Sequence, residues 1–139
     1  MLGTLQLLTG RRARPERLRN ILIVDDSALA RTTIRAAIEG GTDFRVCGEA
    51  SSGVEALDKA SKLNPDLVIM DLAMPEMNGV VAANLLKKKT PELLIVLFTV
   101  YADDLRGPLS STLGINTVLS KTDGFSALLD CLNGLLGPA

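Results

Sequence analysis

The sequence predicts an α/β domain: a doubly wound, five-stranded parallel sheet with helices on both faces. Three observations carry that expectation. From residue 21 onward, short aliphatic and β-branched runs alternate with amphipathic stretches, the order in which strand–helix units build a parallel sheet. Three of the runs are apolar almost throughout, as strands covered on both faces must be. Five such units fit in about 115 residues, the chain length of one domain.

The strands are expected at 21–25 (ILIVD), 44–50 (FRVCGEA), 66–71 (DLVIMD), 93–98 (LLIVLF) and 116–119 (NTVL). Between the first two, Ala30, Ile34 and Ile38 recur every four residues, which predicts a helix over 27–39 stopped by Gly40-Gly41. Ser52 and Glu55 have capping-box spacing ahead of a helix over 53–63 carrying Val54, Leu57 and Leu63. A third helix should open at Asn78 and end before Pro91, since the residue preceding a proline disfavours helix. The last, over 123–136, has Asp123 as candidate N-cap and places Phe125, Leu128, Leu129, Leu132, Leu135 and Leu136 on one stripe. That stripe reads first as core and second as a partner-facing edge. Between strands four and five, Gly107-Pro108 stands where a helix belongs. The helix there either begins late, with Pro108 at its first position, or is broken.

Composition excludes several classes of function. An apolar fraction of 47% is enough for a packed core, while a net charge of −1 gives no nucleic-acid footprint over the whole chain. The charge is uneven. Residues 1–20 hold Arg11, Arg12, Arg14, Arg17 and Arg19 against Glu16. Subtracting these from the chain's 15 basic and 16 acidic residues leaves 21–139 at −5. Residues 1–19 therefore read as a flexible basic tail, with a partner- or membrane-contacting arm as the alternative. Their arginines follow the short apolar patch, the reverse of a secretory signal, and no apolar run approaches the roughly 18 residues a bilayer requires. A cytoplasmic protein is expected. Cys47 and Cys131 lie far apart in apolar stretches and read as buried, reduced thiols. The chain contains no histidine, which excludes histidine-activated nucleophiles and histidine-ligated zinc.

In an open α/β sheet, ligands bind beyond the carboxyl ends of the strands. Those ends carry Asp25-Asp26 after strand one, Asp71 after strand three, Thr99 after strand four and Lys121 after strand five, while strand two, ending in Glu49-Ala50, falls outside the group. Each has an ordinary reading by itself. The acidic pair could cap a helix, Asp71 could serve a turn, Thr99 could be any strand-end threonine, and Lys121 could be a solvated lysine. Together on one rim they point to phosphoryl chemistry. Three carboxylates in one crevice repel each other unless a cation joins them, and Mg²⁺ suits oxygen ligands completed by a phosphate. A carboxylate can act as nucleophile toward phosphorus, with Lys121 offsetting charge and Thr99 donating to a phosphoryl oxygen. Pro75 and Gly79 shape the loop after Asp71, fixing backbone near Ala73 beside the metal. Tyr101 either overhangs this site or packs on the surface. Lys87-Lys88-Lys89 reads as a solvated helix end.

The segments ILIVDDSALAR, PDLVIMDLAMPEMNG, LFTVYADD and VLSK, in that order over about residues 20–137, resemble the receiver domain of bacterial two-component response regulators. The resemblance implies the flavodoxin-like strand order 2-1-3-4-5. It makes Asp71 the phosphoacceptor and Asp25, Asp26 and Asp71 the Mg²⁺ ligands, with the Ala73 carbonyl beside them. Asp26 would be the more direct ligand of the acidic pair. Thr99 becomes the switch hydroxyl and Lys121 the phosphoryl-contacting lysine. The donor would be a histidine kinase or histidine phosphotransfer protein, in keeping with a chain that has no histidine of its own. An output protein or domain would meet the face near strand five and the last helix, and the sequence leaves a homodimer open. Direct nucleic-acid or membrane binding is not expected of this chain. Three positions depart from the pattern. Val118 replaces an aromatic three residues before the lysine, Thr122 replaces a proline, and Gly107-Pro108 interrupts an output helix.

The expected function is thus a phosphoacceptor receiver, a signalling domain and not an enzyme, which switches partner binding. A constitutive interaction module with impaired switching is one alternative, and a receiver fragment of a DNA-binding regulator another. An aspartate-nucleophile phosphatase of the haloacid dehalogenase type needs two aspartates one residue apart after strand one, and Asp25-Asp26-Ser27 fails that pattern. A flavodoxin-like nucleotide site is disfavoured because strand one ends in acids. Ala139 follows the last helix closely, which fits either a stand-alone receiver or a piece of a longer regulator.

Overall fold

Every strand of the sheet is parallel to its neighbours, as the alternation of runs requires. A computed structural model describes residues 19–104 and 114–137. The strands are β1 (Asn20–Val24), β2 (Arg45–Ala50), β3 (Leu67–Met70), β4 (Leu94–Thr99) and β5 (Thr117–Ser120), in spatial order β2-β1-β3-β4-β5. The helices are α1 (Ala28–Gly41), α2 (Gly53–Leu63), α3 (Gly79–Lys89) and α4 (Gly124–Leu136). Short 3₁₀ turns follow β4 at Ala102–Asp104 and β5 at Lys121–Asp123.

Alternation along each strand divides the core in two. Ile21, Ile23, Ile69, Val96 and Phe98 face α1 and α4, where they meet Ile34, Ile38, Leu128, Leu132 and Leu136. Leu22, Val24, Val68, Met70, Ile95 and Leu97 face α2 and α3, against Ala56, Ala82, Ala83 and Leu86. β1 and β3 are fully buried apart from Asn20, as their continuous apolar sequences anticipate. The expected fold class is present, and most strand limits differ from expectation by one residue at an end. Asp25, Phe44, Asp66, Asp71, Leu93 and Asn116 fall outside their strands, and Asn20, Thr99 and Ser120 fall inside.

One irregularity shapes β2. Its pairing with β1 runs Asn20 to Arg45 and Ile21 to Val46, then shifts so that Leu22 meets Gly48, Ile23 meets Glu49 and Val24 meets Ala50. Cys47 is the extra residue of a β-bulge. Val46 therefore belongs to the α1/α4 side and Ala50 to the α2/α3 side, although residues four apart in an unbroken strand share a face.

Helix termini correct three local expectations, and the cysteines a fourth. α1 runs through Gly40 and Gly41 and stops at Thr42, whose N–H donates to the Ile38 carbonyl. Ser52 caps α2 by accepting from the Glu55 N–H at 3.1 Å, but the Glu55 carboxylate accepts from the Ser51 N–H at 2.7 Å, one residue outside the usual box. Asp123 closes the 3₁₀ turn ahead of α4 in helical backbone geometry, not in the extended geometry of a capping residue, and makes no side-chain cap bond. Cys47 and Cys131 are free thiols, half-buried and not fully enclosed, and burial pushes both up in pKa. The α3 expectation holds: Asn78 accepts from Val81 N–H at 2.9 Å, and the helix closes with Lys87-Lys88-Lys89 before Thr90. The expected tail, 1–19, lies outside the described residues apart from Arg19, and Gly107-Pro108 lies outside them altogether. No described helix is long and apolar enough to cross a membrane.

Candidate phosphoryl-acceptor site

Asp25 and Asp71 leave β1 and β3 at adjacent strand ends, because those strands pair in register from Ile21–Leu67 to Val24–Met70. The Asp71 N–H donates to the Val24 carbonyl, and the Asp25 N–H to the Ala50 carbonyl, both at 3.0 Å. Carboxylate oxygens of Asp25, Asp26 and Asp71 all lie within 4.8 Å of one another. Asp25 and Asp71 are buried and Asp26 is exposed, so the cluster opens to solvent on one side.

Lys121 arrives from the other half of the sheet. Thr99, the last residue of β4, pairs with Ser120, and Lys121 follows at once. Its Nζ donates to Asp25 Oδ2 at 2.7 Å and lies 3.6 Å from Asp71 Oδ2. One ammonium thus meets two of the three carboxylates, leaving a net negative crevice whose potential metal ligands are all oxygens. Such a donor set fits a hard divalent cation. Asp25 does not cap α1. Ser27 does so, accepting from Ala30 N–H at 3.1 Å, while Asp25 Oδ1 accepts from Ser27 N–H at 2.9 Å. The ordinary reading of the acidic pair as a helix cap therefore fails.

The loop after Asp71 is held close to its backbone. A Cβ on Gly79 would collide with the Asp71 carbonyl oxygen, so only glycine lets α3 begin here. The Gly79 N–H donates to the Leu72 carbonyl at 2.8 Å, and Met77 N–H closes a tight turn onto the Pro75 carbonyl at 2.6 Å with Glu76 at φ 69°. Ala73 is exposed within this loop. Asp71 Oδ1 accepts from Leu72 N–H at 2.8 Å, and Oδ2 faces Lys121.

Thr99 is fully buried, and its Oγ1 accepts from Tyr101 N–H at 3.2 Å. Tyr101 itself is exposed. Val118 pairs with Leu97 and packs half-buried against the α2/α3-side core. The surprise is strand two. Glu49 does not enter the carboxylate cluster, as expected, but Arg31 connects it to the site. Arg31 Nε donates to Glu49 Oε1 at 3.0 Å, and its Nη1 donates to the Asp25 carbonyl at 2.7 Å. The one signal in the sequence is spacing: Arg31 lies five residues after Asp26, and its long side chain reaches back from α1 to the Asp25 carbonyl.

Comparison with known proteins agrees with this geometry. A family model of the response regulator receiver domain matches residues 21–133. The response regulator protein VraR of Staphylococcus saprophyticus is 34% identical over 112 residues, covering 81% of this chain and 54% of VraR. The chain spans about half the length of the curated relatives it matches. The response regulator domain of Thermotoga maritima CheB superposes with a TM-score of 0.71 at 32% identity, covering 78% of this chain and 81% of that one. A LuxR-family two-component response regulator from Aurantimonas gives a TM-score of 0.78 at 25% identity over 86% of each chain. With the strand order, the rim of acids and a match over most of its length in agreement, the chain belongs to the response regulator receiver domain family.

Proposed function

We propose that Asp71 accepts a phosphoryl group from a phosphohistidine on a partner protein and that the modified domain changes its affinity for an output partner. The observation that carries this reading is Lys121 set between two buried carboxylates, 2.7 Å from Asp25 and 3.6 Å from Asp71. A lysine so placed holds a cation beside the Asp71 carboxylate and beside an incoming phosphoryl group. In the transfer, an Asp71 oxygen forms a bond to phosphorus as the P–N bond of the donor breaks, and the imidazole keeps the released electron pair and is then protonated. Asp26, Asp25 and Asp71, with the Ala73 carbonyl, would hold Mg²⁺, which when bound offsets charge on the phosphoryl oxygens. Thr99 already accepts from Tyr101 N–H, which leaves its own O–H to donate to a phosphoryl oxygen. Val118, with Tyr101, would set how far that event is transmitted.

The donor class is a histidine kinase or histidine phosphotransfer protein, and the output surface is the face of β5 and α4. The test is intact-mass measurement after incubation with acetyl phosphate and Mg²⁺. Wild type should gain one phosphoryl adduct, stable to acid and labile to base, and Asp71→Asn none. No adduct on wild type, under conditions that label another receiver domain, would refute the reading. Labelling without any change in binding to a cognate partner would favour a constitutive interaction module, a reading supported by Val118 standing where an aromatic residue is usual.

A further inference from the structure

Asp25 has no free polar atom. Its N–H donates to Ala50, Oδ1 accepts from Ser27, Oδ2 from Lys121, and its carbonyl from Arg31 Nη1 at 2.7 Å. Asp26 differs entirely: among the described residues its exposed carboxylate makes no hydrogen bond or ion pair. The direction of Asp26 is therefore set by the backbone that precedes it. The Asp25–Asp26 peptide is a rigid plane, so a donor fixed on the Asp25 carbonyl also fixes the direction in which Asp26 departs.

Arg31 supplies that donor, and Glu49 holds Arg31. The Glu49 carboxylate takes Arg31 Nε on Oε1 at 3.0 Å and Arg35 Nε on Oε2 at 2.7 Å, gripping two arginines one turn apart on α1. The hydrogen bond from Arg35, then that from Arg31, keeps Glu49 below the usual carboxylate range against the opposing effect of its burial. Glu49 reaches α1 because of the bulge at Cys47, which pairs it with Ile23, a residue on the α1/α4 side. Lys59, from α2, donates to the Glu49 carbonyl and anchors the strand end from the other face. A planar guanidinium can donate to a carboxylate and a carbonyl at once, as an ammonium cannot in the same fixed geometry.

We propose that Arg31, held by Glu49, is a positioning residue that orients Asp26 for the divalent cation without touching it. The inference rests on the Mg²⁺ reading given under the proposed function. It can be separated from simple electrostatics by sign. Removing a cation beside an acidic site strengthens Mg²⁺ binding on charge alone, whereas loss of a group that orients a ligand weakens it, on the order of tenfold or more.

The experiment is calorimetric titration of Mg²⁺ into wild type, Arg31→Ala, Arg31→Lys, Glu49→Gln and Arg35→Ala, with amide hydrogen exchange on the metal-free proteins and far-UV circular dichroism to verify folding. Arg31→Ala, Arg31→Lys and Glu49→Gln should each weaken Mg²⁺, and the amides of Asp26 and Ser27 should exchange faster. Arg35→Ala, which loses a Glu49 partner but no bond to Asp25, should stay near wild type in both measurements. Unchanged or tighter Mg²⁺ binding by folded Arg31 variants would overturn the proposal. If Arg31→Ala does not fold, wild-type affinity in both Arg31→Lys and Glu49→Gln would overturn it equally. Wild type that fails to bind Mg²⁺ would instead remove the metal reading beneath it.

Discussion

The two rims of the sheet both carry acids and use them in opposite ways. At the amino rim, Asp66 and Glu92 line a cavity of about 240 Å³ with Asn64, Pro65, Thr90 and Leu93, between the ends of α2 and α3. There Asp66 Oδ2 accepts from the Asn20 N–H at 2.7 Å, while its own N–H donates to the Asn20 carbonyl at 2.8 Å, so the carboxylate ties down the start of β1. At the carboxyl rim, Asp25, Asp26 and Asp71 are drawn together, with Lys121 as the ammonium between two of them. That hollow lies at the rim without the carboxylate cluster. Carboxylates that remain grouped with only one ammonium among them indicate a ligand better than volume does, since their mutual repulsion opposes the grouping.

This contrast can be broken by stability measurements. The largest effect expected is that of the cation itself. Mg²⁺ at a hundred times its dissociation constant should add about 2.7 kcal/mol to the unfolding free energy, read from urea titrations with and without it. Asp26→Asn should lose most of that increment, and an equal increment in both proteins would contradict the assignment. Next, without Mg²⁺, the two rims should respond with opposite sign. Asp66→Ala strands the Asn20 N–H and should cost about 2 kcal/mol, whereas Asp26→Asn relieves repulsion and should add about 1 kcal/mol. Destabilisation by both would mean that the carboxyl-rim acids are structural too.

The smallest effect concerns Glu49, whose pKa is lowered chiefly by its hydrogen bond from Arg35. A carboxylate with a depressed folded-state pKa contributes stability above its unfolded value, about 4.3, and loses it as pH falls through the folded value. The stability gap between wild type and Glu49→Gln should therefore be constant near neutrality and shrink below about pH 4.3. A gap that grew on acidification would contradict the sign.

The parallel sheet, its buried central strands and the residues gathered at the carboxyl rim were legible because each depends on local pattern and on the general geometry of parallel sheets, whereas the strand order 2-1-3-4-5 followed from the resemblance to the receiver family. Asp25, Asp71 and Lys121 meet as the strand ends implied. Tertiary detail was not legible. Gly40-Gly41 resembles a stop, yet α1 runs through both. Gly41 lies so close to Leu129 of α4 that a Cβ there would crowd its side chain, so that glycine answers to packing as well as to termination. Asp123 resembles a cap, but it is the last residue of the 3₁₀ turn from Lys121, in helical geometry, and the chain turns at Gly124 (φ 85°) as α4 begins. The bulge at Cys47 has no signal in FRVCGEA beyond Gly48, and without it Glu49 would be assigned to the wrong face. The Arg31 link to Asp25 was therefore hidden: its origin is a register shift and not a motif.

Tyr101 has a further consequence. It is the chain's one tyrosine, and there is no tryptophan. Intrinsic near-ultraviolet fluorescence of this protein therefore comes almost wholly from a single, half-exposed ring whose backbone N–H is bonded to Thr99 Oγ1. Any displacement of the Thr99 hydroxyl pulls on the residue that emits. The protein thus carries an optical reporter in the unlabelled chain, beside the rim of acids where the proposed cation binding and phosphorylation would take place.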